Sequence, residues 1–389
     1  MNRWITLRYH WVFTGLFSIL CFIQFEISAQ QVKPFPSLVT FGNEQVANGT
    51  LAGGCVLILH RGEVVLHEAF GYSDLKSQKP FSKNAPVIVA SISKPMLATV
   101  LFRLHQSNQL DINAPIDRYL TEYKNAKLAD GTPMKRLPST IELLTHTGGA
   151  LSFYKEGGRP WFASWTKGKT LAKVVKGYSV KHPFQTAPGT NYAYSGIGTD
   201  IAARVGEVAS GLPRNEYLLQ ELSLPLGLTT TAYRETGSAP DNMPTRYLIS
   251  KESGKLILPK KRDLPEKNHY SSSGGAIIST ATDIATWLEM IRNSGTHRGK
   301  PYLKPETFAK FVEKSPKGSA VSGGLHAREF DQNGSPSVLG HSGSSGTDCW
   351  IDLENNITAV MLTQSGSGAS KTMAKKVRAT ALEWAQNLE

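Results

Sequence analysis

The pattern of apolar and polar positions predicts strands at both ends of the chain and helices between them. Two segments, 51–74 and 349–362, each contain two short apolar runs separated by a polar turn, which is the signature of a β-hairpin. Helical spacing of apolar residues follows in the segments 91–106, 199–208, 282–291 and 371–388. We therefore expect a sheet built from the two termini, with a mostly helical region inserted between its parts.

The first 29 residues have the pattern of a secretory signal peptide. Arg3 and Arg8 precede an apolar run at 11–25, and Ala29 ends the segment with a small side chain. This run is short for a bilayer span and is interrupted by polar residues. The sequence thus predicts a cleaved signal and an exported protein, periplasmic or extracellular. An uncleaved N-terminal anchor is the alternative, and no later stretch is apolar enough to cross a membrane.

Length and composition favour one globular α/β unit after the signal. The chain has 389 residues with 35 Gly and 21 Pro, and 40% of its residues are hydrophobic. We find no repeat and no linker that divides residues 30–389. One catalytic domain is therefore expected, with its sheet part at about 30–90 and 275–389 and its helical part at about 91–274.

The net charge of +12 falls to +11 once Arg3, Arg8 and Glu26 are removed with the signal. The surplus is spread along the chain, with one tight cluster at 260–262, and is interpreted either as a soluble basic surface or as attraction to anionic envelope polymers. The sequence has no nucleic-acid-binding motif. Histidine pairs such as His60 and His67 lack ligand-like spacing, and neither a metal nor a cofactor is predicted. Oligomeric state is left open.

The chemical signal is the spacing Ser-x-x-Lys, which occurs four times. The pairs are Ser73/Lys76, Ser91/Lys94, Ser152/Lys155 and Ser164/Lys167. A lone match carries no weight, so the context has to choose between them. Ser91 alone stands where a strand-like run, 86–90, meets a helical segment. Pro95 is compatible only with a first helical turn, which predicts that the helix begins within a residue or two of Ser91.

This placement gives Ser91 two properties of a nucleophile. Its backbone N–H is not used by the helix, so it is available to a developing oxyanion near the positive end of the helix dipole. Lys94 lies three residues later on the same helical face. A lysine packed there would have a lowered pKa and could accept the serine proton. A plain N-cap serine followed by a solvated lysine is the alternative that these residues leave open.

Five further blocks resemble the serine β-lactamase and penicillin-binding-protein superfamily, particularly its class C-like branch of β-lactamases, DD-peptidases and carboxylesterases. With the nucleophile segment ASISKP they stand in the family's order over about residues 50–365. The blocks are LDINAPI (110–116), LLTHTGG (143–149), PGTNYAYSG (188–196), GG with STATD (274–283) and GHSG (340–343). Each block is weak alone, but the ordered set is specific.

The resemblance implies an α/β (α+β) fold with a five-stranded antiparallel sheet flanked by helices. It also implies roles for site residues. Tyr194 would act as general acid beside Ser91 and Lys94. His341, Ser342 and Gly343 would line the strand opposite the nucleophile, and the backbone N–H of Ser344 would be the second oxyanion donor. The remaining block histidine, His146, is interpreted as structural.

The chain departs from the family at Gly196, which stands where relatives have a substrate-binding asparagine. The absence of this asparagine leaves the nucleophile, the base and the oxyanion hole intact but removes a hydrogen-bond partner for the amide of an acyl group. We therefore expect an ester-cleaving serine hydrolase acting through acyl-Ser91. The alternatives are a β-lactamase, a D-alanyl carboxypeptidase, or a non-catalytic binding relative of the same fold. No Gly-x-Ser-x-Gly nucleophile elbow occurs.

The implied strand order, 2-1-5-4-3, also bears on the two cysteines of the mature chain. Cys55 falls on the first strand and Cys349 on the fourth, with the fifth strand between them. Two strand spacings are about 9–10 Å, which exceeds the roughly 7 Å limit on the Cα separation of a disulfide. Free, inert thiols are expected.

Overall fold

The structure is a computed structural model that describes residues 35–160, 163–234, 240–250, 252–259 and 270–388. The proposed signal peptide and the basic cluster at 260–262 lie outside these residues. Among the described residues, no helix has the length and apolar character needed to span a bilayer.

The described residues form a mixed α and β fold. The strands are β1 (Gly53–His60), β2 (Glu63–Asp74), β3 (Lys79–Pro80), β4 (Val87–Ile88), β5 (Ala232–Tyr233), β6 (Leu248–Ile249), β7 (Leu256–Ile257), β8 (Ile277–Ser279), β9 (Thr296–His297), β10 (Lys300–Pro301), β11 (His326–Phe330), β12 (Pro336–Gly343), β13 (Thr347–Asp352) and β14 (Ile357–Thr363). The α-helices are α1 (Pro36–Ala47), α2 (Ser93–Gln106), α3 (Thr140–Leu144), α4 (Leu171–Lys181), α5 (Gly196–Ser210), α6 (Arg214–Leu218), α7 (Leu224–Leu226), α8 (Ala281–Arg292), α9 (Pro305–Val312) and α10 (Ser367–Gln386).

The main sheet is antiparallel and has the order β11-β12-β13-β14-β1-β2-β3. Its central five strands confirm the predicted order, but the count of five was wrong, because a strand is added at each edge. β11 carries more polar than apolar residues and bulges against β12, so its pattern is not that of a core strand. β3 has two residues, and Pro80 is tolerated there because an edge strand can lack a donor.

Helices cover both faces of the sheet, which explains the unbroken apolar run in β1. Cys55, Leu57 and Leu59 face the large core that contains α2, α5 and α8. Val56 and Ile58 point to the other face, where they pack with α1 and α10. Alternation along a strand therefore buries every position when both faces are covered.

A second, three-stranded sheet brings the chain to Ser91. β4 pairs with β8, which pairs in turn with β5. The N–H of Val89 donates to the carbonyl of Ile277 at 2.9 Å and extends this pairing to the residues just before the nucleophile. A 3₁₀ turn (Ala90–Ile92) follows and leads into α2. The predicted change from strand to helix at Ser91 is confirmed.

Both cysteines of the described chain are buried and free. Cys55 pairs with Leu362 of β14, and Cys349 pairs with Val360 of the same strand, so β14 separates them as expected. Burial raises the pKa of each thiol to about 12, which leaves both protonated and unreactive at neutral pH.

Candidate active site

Ser91 lies in the middle of the 3₁₀ turn and is partly exposed to a surface cavity. The residue before it, Ala90, has a positive φ of 49°, a conformation that costs free energy for a residue with a side chain. Pro95 is the third residue of α2, so the missing N–H falls within the first turn. The backbone thus turns sharply to present Ser91 at the start of a helix.

The Lys94 side chain is buried beneath Ser91, with only 5% of its surface exposed. Its Nζ lies 3.3 Å from Ser91 Oγ and donates to the carbonyl of Gly274 at 2.8 Å. A Cβ on residue 274 would lie 2.9 Å from this Nζ, so a side chain there would displace the amine. Lys94 is therefore held against the hydroxyl of Ser91, as an acceptor of its proton would be.

Tyr194 also contacts the lysine side chain. Its ring centroid is 4.7 Å from Lys94 Nζ, within range of a cation–π contact. The ring also packs on His146 at 4.5 Å between centroids. The Tyr194 carbonyl accepts the N–H of Phe153 at 2.7 Å, which ties this segment to the loop that follows α3.

His146 supports the Tyr194 segment from below. It has a positive φ of 61°, its carbonyl accepts the N–H of Ala193 at 2.8 Å, and its Nδ1 accepts the N–H of Ser195 at 3.2 Å. Burial, and secondarily the charge of Lys94, lower the pKa of His146 well below its usual value. A neutral imidazole that accepts a backbone N–H fits the structural interpretation made from the sequence.

β12 forms the opposite wall of the site and approaches the 3₁₀ turn closely at Gly343. A Cβ there would lie 2.4 Å from the Val89 carbonyl oxygen and 2.1 Å from Thr347 Oγ1. Two hydroxyls after the strand bind the same segment: Thr347 Oγ1 donates to Val89 at 2.9 Å, and Ser345 Oγ donates to the Ile88 carbonyl at 2.7 Å. The end of β12 and the nucleophile turn are thereby locked together.

Ser342 belongs to a charged group that spans three neighbouring strands. Its hydroxyl donates to Asp348 of β13 at 2.7 Å and accepts from Arg328 of β11 at 3.3 Å. Arg328 and Asp348 form an ion pair at 2.6 Å, with 20% and 10% of their side chains exposed. Arg328 was not identified from the sequence, because only the pairing of β11 with β12 places it beside Ser342.

His341 is buried in the same strand, where its ring lies 4.8 Å from that of His326. Nδ1 is 2.8 Å from the carbonyl of Ser342 and donates to it, which assigns the proton to that nitrogen. Burial, together with His326 and Lys94, lowers the pKa of His341 well below its ordinary range. Burial also lowers the pKa of His326. The wall opposite Tyr194 therefore carries two imidazoles that stay neutral.

These walls enclose a cavity of about 460 Å³ that opens to solvent. It is lined by Ser91, Phe153, Tyr154, Tyr192, Tyr194, His326, Arg328, Gly340, His341, Ser342, Gly343, Ser344 and Ser367. The structure thus brings together every predicted site residue except Lys94, which touches Ser91 from below, and Gly196. The latter is buried as the first residue of α5, outside the lining of the cavity.

One side of the cavity is aromatic, which the sequence did not reveal. Phe153 and Tyr154 follow the predicted LLTHTGG block, and their rings lie 5.3 Å apart. Tyr154 stacks towards Tyr194 at 6.3 Å and 30°, although 76% of its surface is exposed. A Phe-Tyr pair in a polar loop was the available signal, but only the hydrogen bond of Phe153 to Tyr194 shows that the loop borders the site.

Within the described ranges, no three His, Cys, Asp or Glu side chains are arranged to hold a metal ion. The chemistry that these residues support is acyl transfer to serine: a hydroxyl with a buried amine at 3.3 Å, a tyrosine beside the amine, and a glycine-ended strand opposite.

Residues 42–383 match the family described as Beta-lactamase. The chain belongs to this family. The resemblance seen in the sequence is confirmed, and the family member is a serine hydrolase.

Its curated relatives are distant and differ in activity. Esterase EstB of Burkholderia gladioli is 26% identical over 294 residues, 69% of this chain and 71% of that protein. An N-acetylmuramyl-L-alanine amidase of Bacillus subtilis (strain 168) is 26% identical over 345 residues, 80% and 76% of the two chains. The D-alanyl-D-alanine-carboxypeptidase/endopeptidase AmpH of Escherichia coli (strain K12) is 24% identical over 255 residues, 64% and 60%.

Solved structures share the fold of this family member. EstCE1, a hydrolase with promiscuous acyltransferase activity, superimposes with a TM-score of 0.73 at 22% identity, covering 88% of this chain and 97% of that one. A mutant of simvastatin synthase (LovD6) from Aspergillus terreus gives 0.74 at 16% identity, covering 92% and 99%. At these identities the likeness establishes the fold alone.

Proposed function

We propose that this hydrolase is an exported esterase that works through an acyl intermediate on Ser91. The observation that carries the proposal is the 3.3 Å separation between Lys94 Nζ and Ser91 Oγ at the base of an open cavity. In this mechanism Lys94 accepts the proton of Ser91 while Ser91 Oγ attacks the ester carbonyl. The backbone N–H groups of Ser91 and Ser344 stabilise the oxyanion.

Tyr194 is assigned the proton transfer that follows. Its ring lies 4.7 Å from Lys94 Nζ and lines the same cavity as Ser91, and in this proposal its hydroxyl passes the proton to the departing alcohol as general acid. A water molecule then attacks the acyl-Ser91 carbonyl, the proton returns by the same residues, and the acid and free serine are released. Each step needs only the groups that line the cavity or touch Ser91.

Two features support an ester as the substrate. Gly196 offers no side chain to pair with the amide group of a peptide or β-lactam acyl chain. The aromatic side of the cavity, Phe153, Tyr154 and Tyr192, suits an apolar acyl or alcohol group. The similarity to esterase EstB agrees with this preference.

A D-alanyl carboxypeptidase is the second candidate, and Arg328 is the observation that favours it. A guanidinium in the cavity could bind the terminal carboxylate of a peptide. Asp348 already neutralises this guanidinium at 2.6 Å, so the esterase is preferred. A β-lactamase would use the same nucleophile, and hydrolysis of nitrocefin tests for it.

We further propose that residues 30–389 form one catalytic unit and that residues 1–29 direct its export. The substrates would then be small esters or peptides outside the cytoplasm. The basic surplus of the chain would favour acidic ones.

The test combines covalent labelling with a substrate screen. A fluorophosphonate probe should label the purified protein on Ser91, and Ser91→Ala should abolish both the label and turnover while the melting temperature is kept. Ser164→Ala, in an unrelated Ser-x-x-Lys pair, is the control and should behave as wild type. A stable Ser91→Ala variant that still turns over p-nitrophenyl butyrate would refute the assignment of the nucleophile.

A further inference from the structure

Lys94 is positioned by a turn that has no regular secondary structure. Its Nζ donates to the carbonyl of Gly274, which follows directly on Ser273. Residues 271–275 lie outside the named strands and helices, and inside this segment the N–H of Gly275 donates to the Ser272 carbonyl at 3.1 Å. The location of the Gly274 carbonyl therefore depends on what holds the turn from outside.

Buried side chains hold this turn. The N–H of Ser273 donates to Asp200 Oδ1 at 2.7 Å, and the carbonyl of Ser273 accepts the hydroxyl of Tyr233 at 3.0 Å. Arg214 donates to the Ser271 carbonyl at 2.7 Å and to the Ser273 hydroxyl at 2.8 Å. The three side chains have exposures of 0%, 2% and 3%, so water does not compete with these bonds.

Asp200 also connects the turn to the segment that carries Tyr194. It lies in the second turn of α5, which begins two residues after Tyr194. Its second carboxylate oxygen accepts the hydroxyls of Tyr178 and Tyr270, which also contact each other at 2.8 Å. One carboxylate thus joins α5, α4 and the turn. Tyr194 and Gly274, which both contact Lys94 Nζ, lie on the segments that this carboxylate connects.

We propose that Asp200 is a positioning residue that keeps the Gly274 carbonyl against Lys94 and so keeps the amine within reach of Ser91. This inference rests on the proposed role of Lys94 as base. Asp200 contacts neither Ser91 nor the cavity, so its contribution passes through Ser273 to Gly274. Loss of the Ser273 bond would let the turn drift, and a displacement of about 1 Å can cost about 10²-fold in rate.

The chain offers a matched control in Asp283, a second buried aspartate that holds a turn. It is 4% exposed and accepts the N–H groups of Thr230 at 2.8 Å and Thr231 at 3.0 Å. Its turn does not contact Lys94 in the described structure. Asp200→Ala and Asp283→Ala therefore remove the same kind of interaction and differ in what the turn touches.

The experiment measures kcat per active site, with sites counted by fluorophosphonate titration. Unfolded enzyme is not titrated, so a purely structural role would lower the number of sites and leave kcat per site unchanged. We expect Asp200→Ala to lower kcat per site about 10- to 100-fold with little change in KM. Asp283→Ala should stay within about twofold of wild type. Asp200→Asn, whose amide oxygen can still accept the Ser273 N–H, should recover most of the kcat per site that Asp200→Ala loses.

A milder pair keeps the test decisive if the aspartate variants do not fold. Tyr233→Phe removes the hydroxyl bound to the Ser273 carbonyl, and Tyr217→Phe removes a buried hydroxyl bound to the Ala203 carbonyl at 3.0 Å. The first should lower kcat per site about three- to tenfold, and the second should not.

Equal kcat per site in wild type and Asp200→Ala, or equal losses at Asp200 and Asp283, would overturn the inference. For the milder pair, equal kcat per site in Tyr233→Phe and Tyr217→Phe would do the same. Failure of Ser91 labelling, or a fully active Lys94→Ala variant, would instead refute the proposed function on which it rests.

Discussion

The two walls of the cavity are built by different means. The β12 wall is a hydrogen-bonded ladder in which Ser342 pairs with Asp348 and Gly343 pairs with Thr347. The Tyr194 wall consists of irregular segments held by single contacts, such as Ser195 Oγ to the Leu151 carbonyl at 2.7 Å. Each wall contains a fully buried histidine whose pKa is lowered, His146 or His341, and the β12 wall also includes His326.

This difference in construction suggests that the two walls have different roles in the reaction. A ladder fixes its residues relative to the nucleophile turn, which suits oxyanion donors that must not move. An irregular wall with an exposed ring, such as Tyr154, can vary in shape without disturbing the ladder. We infer that oxyanion stabilisation depends on the β12 wall, while the irregular wall supplies Tyr194 to the chemistry and Tyr154 to substrate preference.

The largest loss of activity should follow from substitution of Lys94, which lies between the two walls. Lys94→Ala should lower kcat/KM about 10²–10⁴-fold, the usual loss of an acid–base group. Lys94→Arg keeps the charge but cannot release its proton, so it should be equally poor. Lys167→Ala, from another Ser-x-x-Lys pair, is the matched control. Wild-type activity in Lys94→Arg would contradict proton transfer to this residue.

Loosening the ladder wall should be almost as costly. Gly343→Ala would place a Cβ 2.4 Å from the Val89 carbonyl and push β12 away from the nucleophile turn. We expect kcat to fall about 10²-fold, with a smaller change in melting temperature than a core cavity causes. Gly368→Ala in α10, where a Cβ meets open space, should leave kcat unchanged. Equal activity in the two variants would show that the approach of β12 is unimportant.

Substrate preference should test the absence of a side chain at Gly196. One hydrogen bond lost in a closed site costs about 1–3 kcal/mol, so short-chain p-nitrophenyl esters should exceed nitrocefin and D-Ala-D-Ala peptides in kcat/KM by about 10- to 100-fold. Gly196 is the buried first residue of α5 and is not among the glycines with a positive φ, so its backbone conformation allows a side chain. Gly196→Asn should narrow the gap by improving the amide substrates. Efficient nitrocefin hydrolysis with feeble esterase activity would reverse the preference.

A smaller effect is expected from the irregular wall. Tyr154→Ala should raise KM for an aryl ester such as phenyl acetate about two- to fivefold with little change in kcat, because an exposed stacking contact contributes about 0.5–1 kcal/mol. Methyl butyrate should be turned over as before, and Tyr154→Phe should behave as wild type on both. A fall in kcat with KM unchanged would move Tyr154 from substrate binding to the chemistry.

The two buried histidines predict the smallest effect, on stability. Burial lowers the pKa of His146 and His341 in the folded protein, so the unfolded chain binds more protons once the pH falls below about 6.5. Their contribution is complete above that pH and is lost as the pH falls towards the folded pKa. The melting temperature should drop by about 2 °C between pH 7.5 and 5.5 for each group.

His146→Asn tests this dependence, because asparagine tolerates the positive φ of residue 146. The drop in melting temperature on acidification should be smaller in this variant than in wild type. An identical drop in the two proteins would exclude His146 as its source.

Much of this architecture could be predicted from local pattern. Hairpin β1–β2, helices α2, α5, α8 and α10, and the strand-to-helix change at Ser91 follow from apolar periodicity and from Pro95. The order of the central strands and the set Ser91, Lys94 and Tyr194 came from the blocks that resemble the family. The hairpin, the helices and the strand-to-helix change depend on residues a few positions apart, whereas the strand order is long-range and came only from the resemblance.

What only the tertiary structure decided lies in contacts between distant segments. Arg328 reaches the site because β11 pairs with β12, and Phe153 because its N–H meets the Tyr194 carbonyl. Asp200 meets Ser273 across 73 positions of the chain. Neither periodicity nor turn chemistry encodes which distant groups meet, because that is set by how the helices pack on the sheet and by the need to pair buried polar groups.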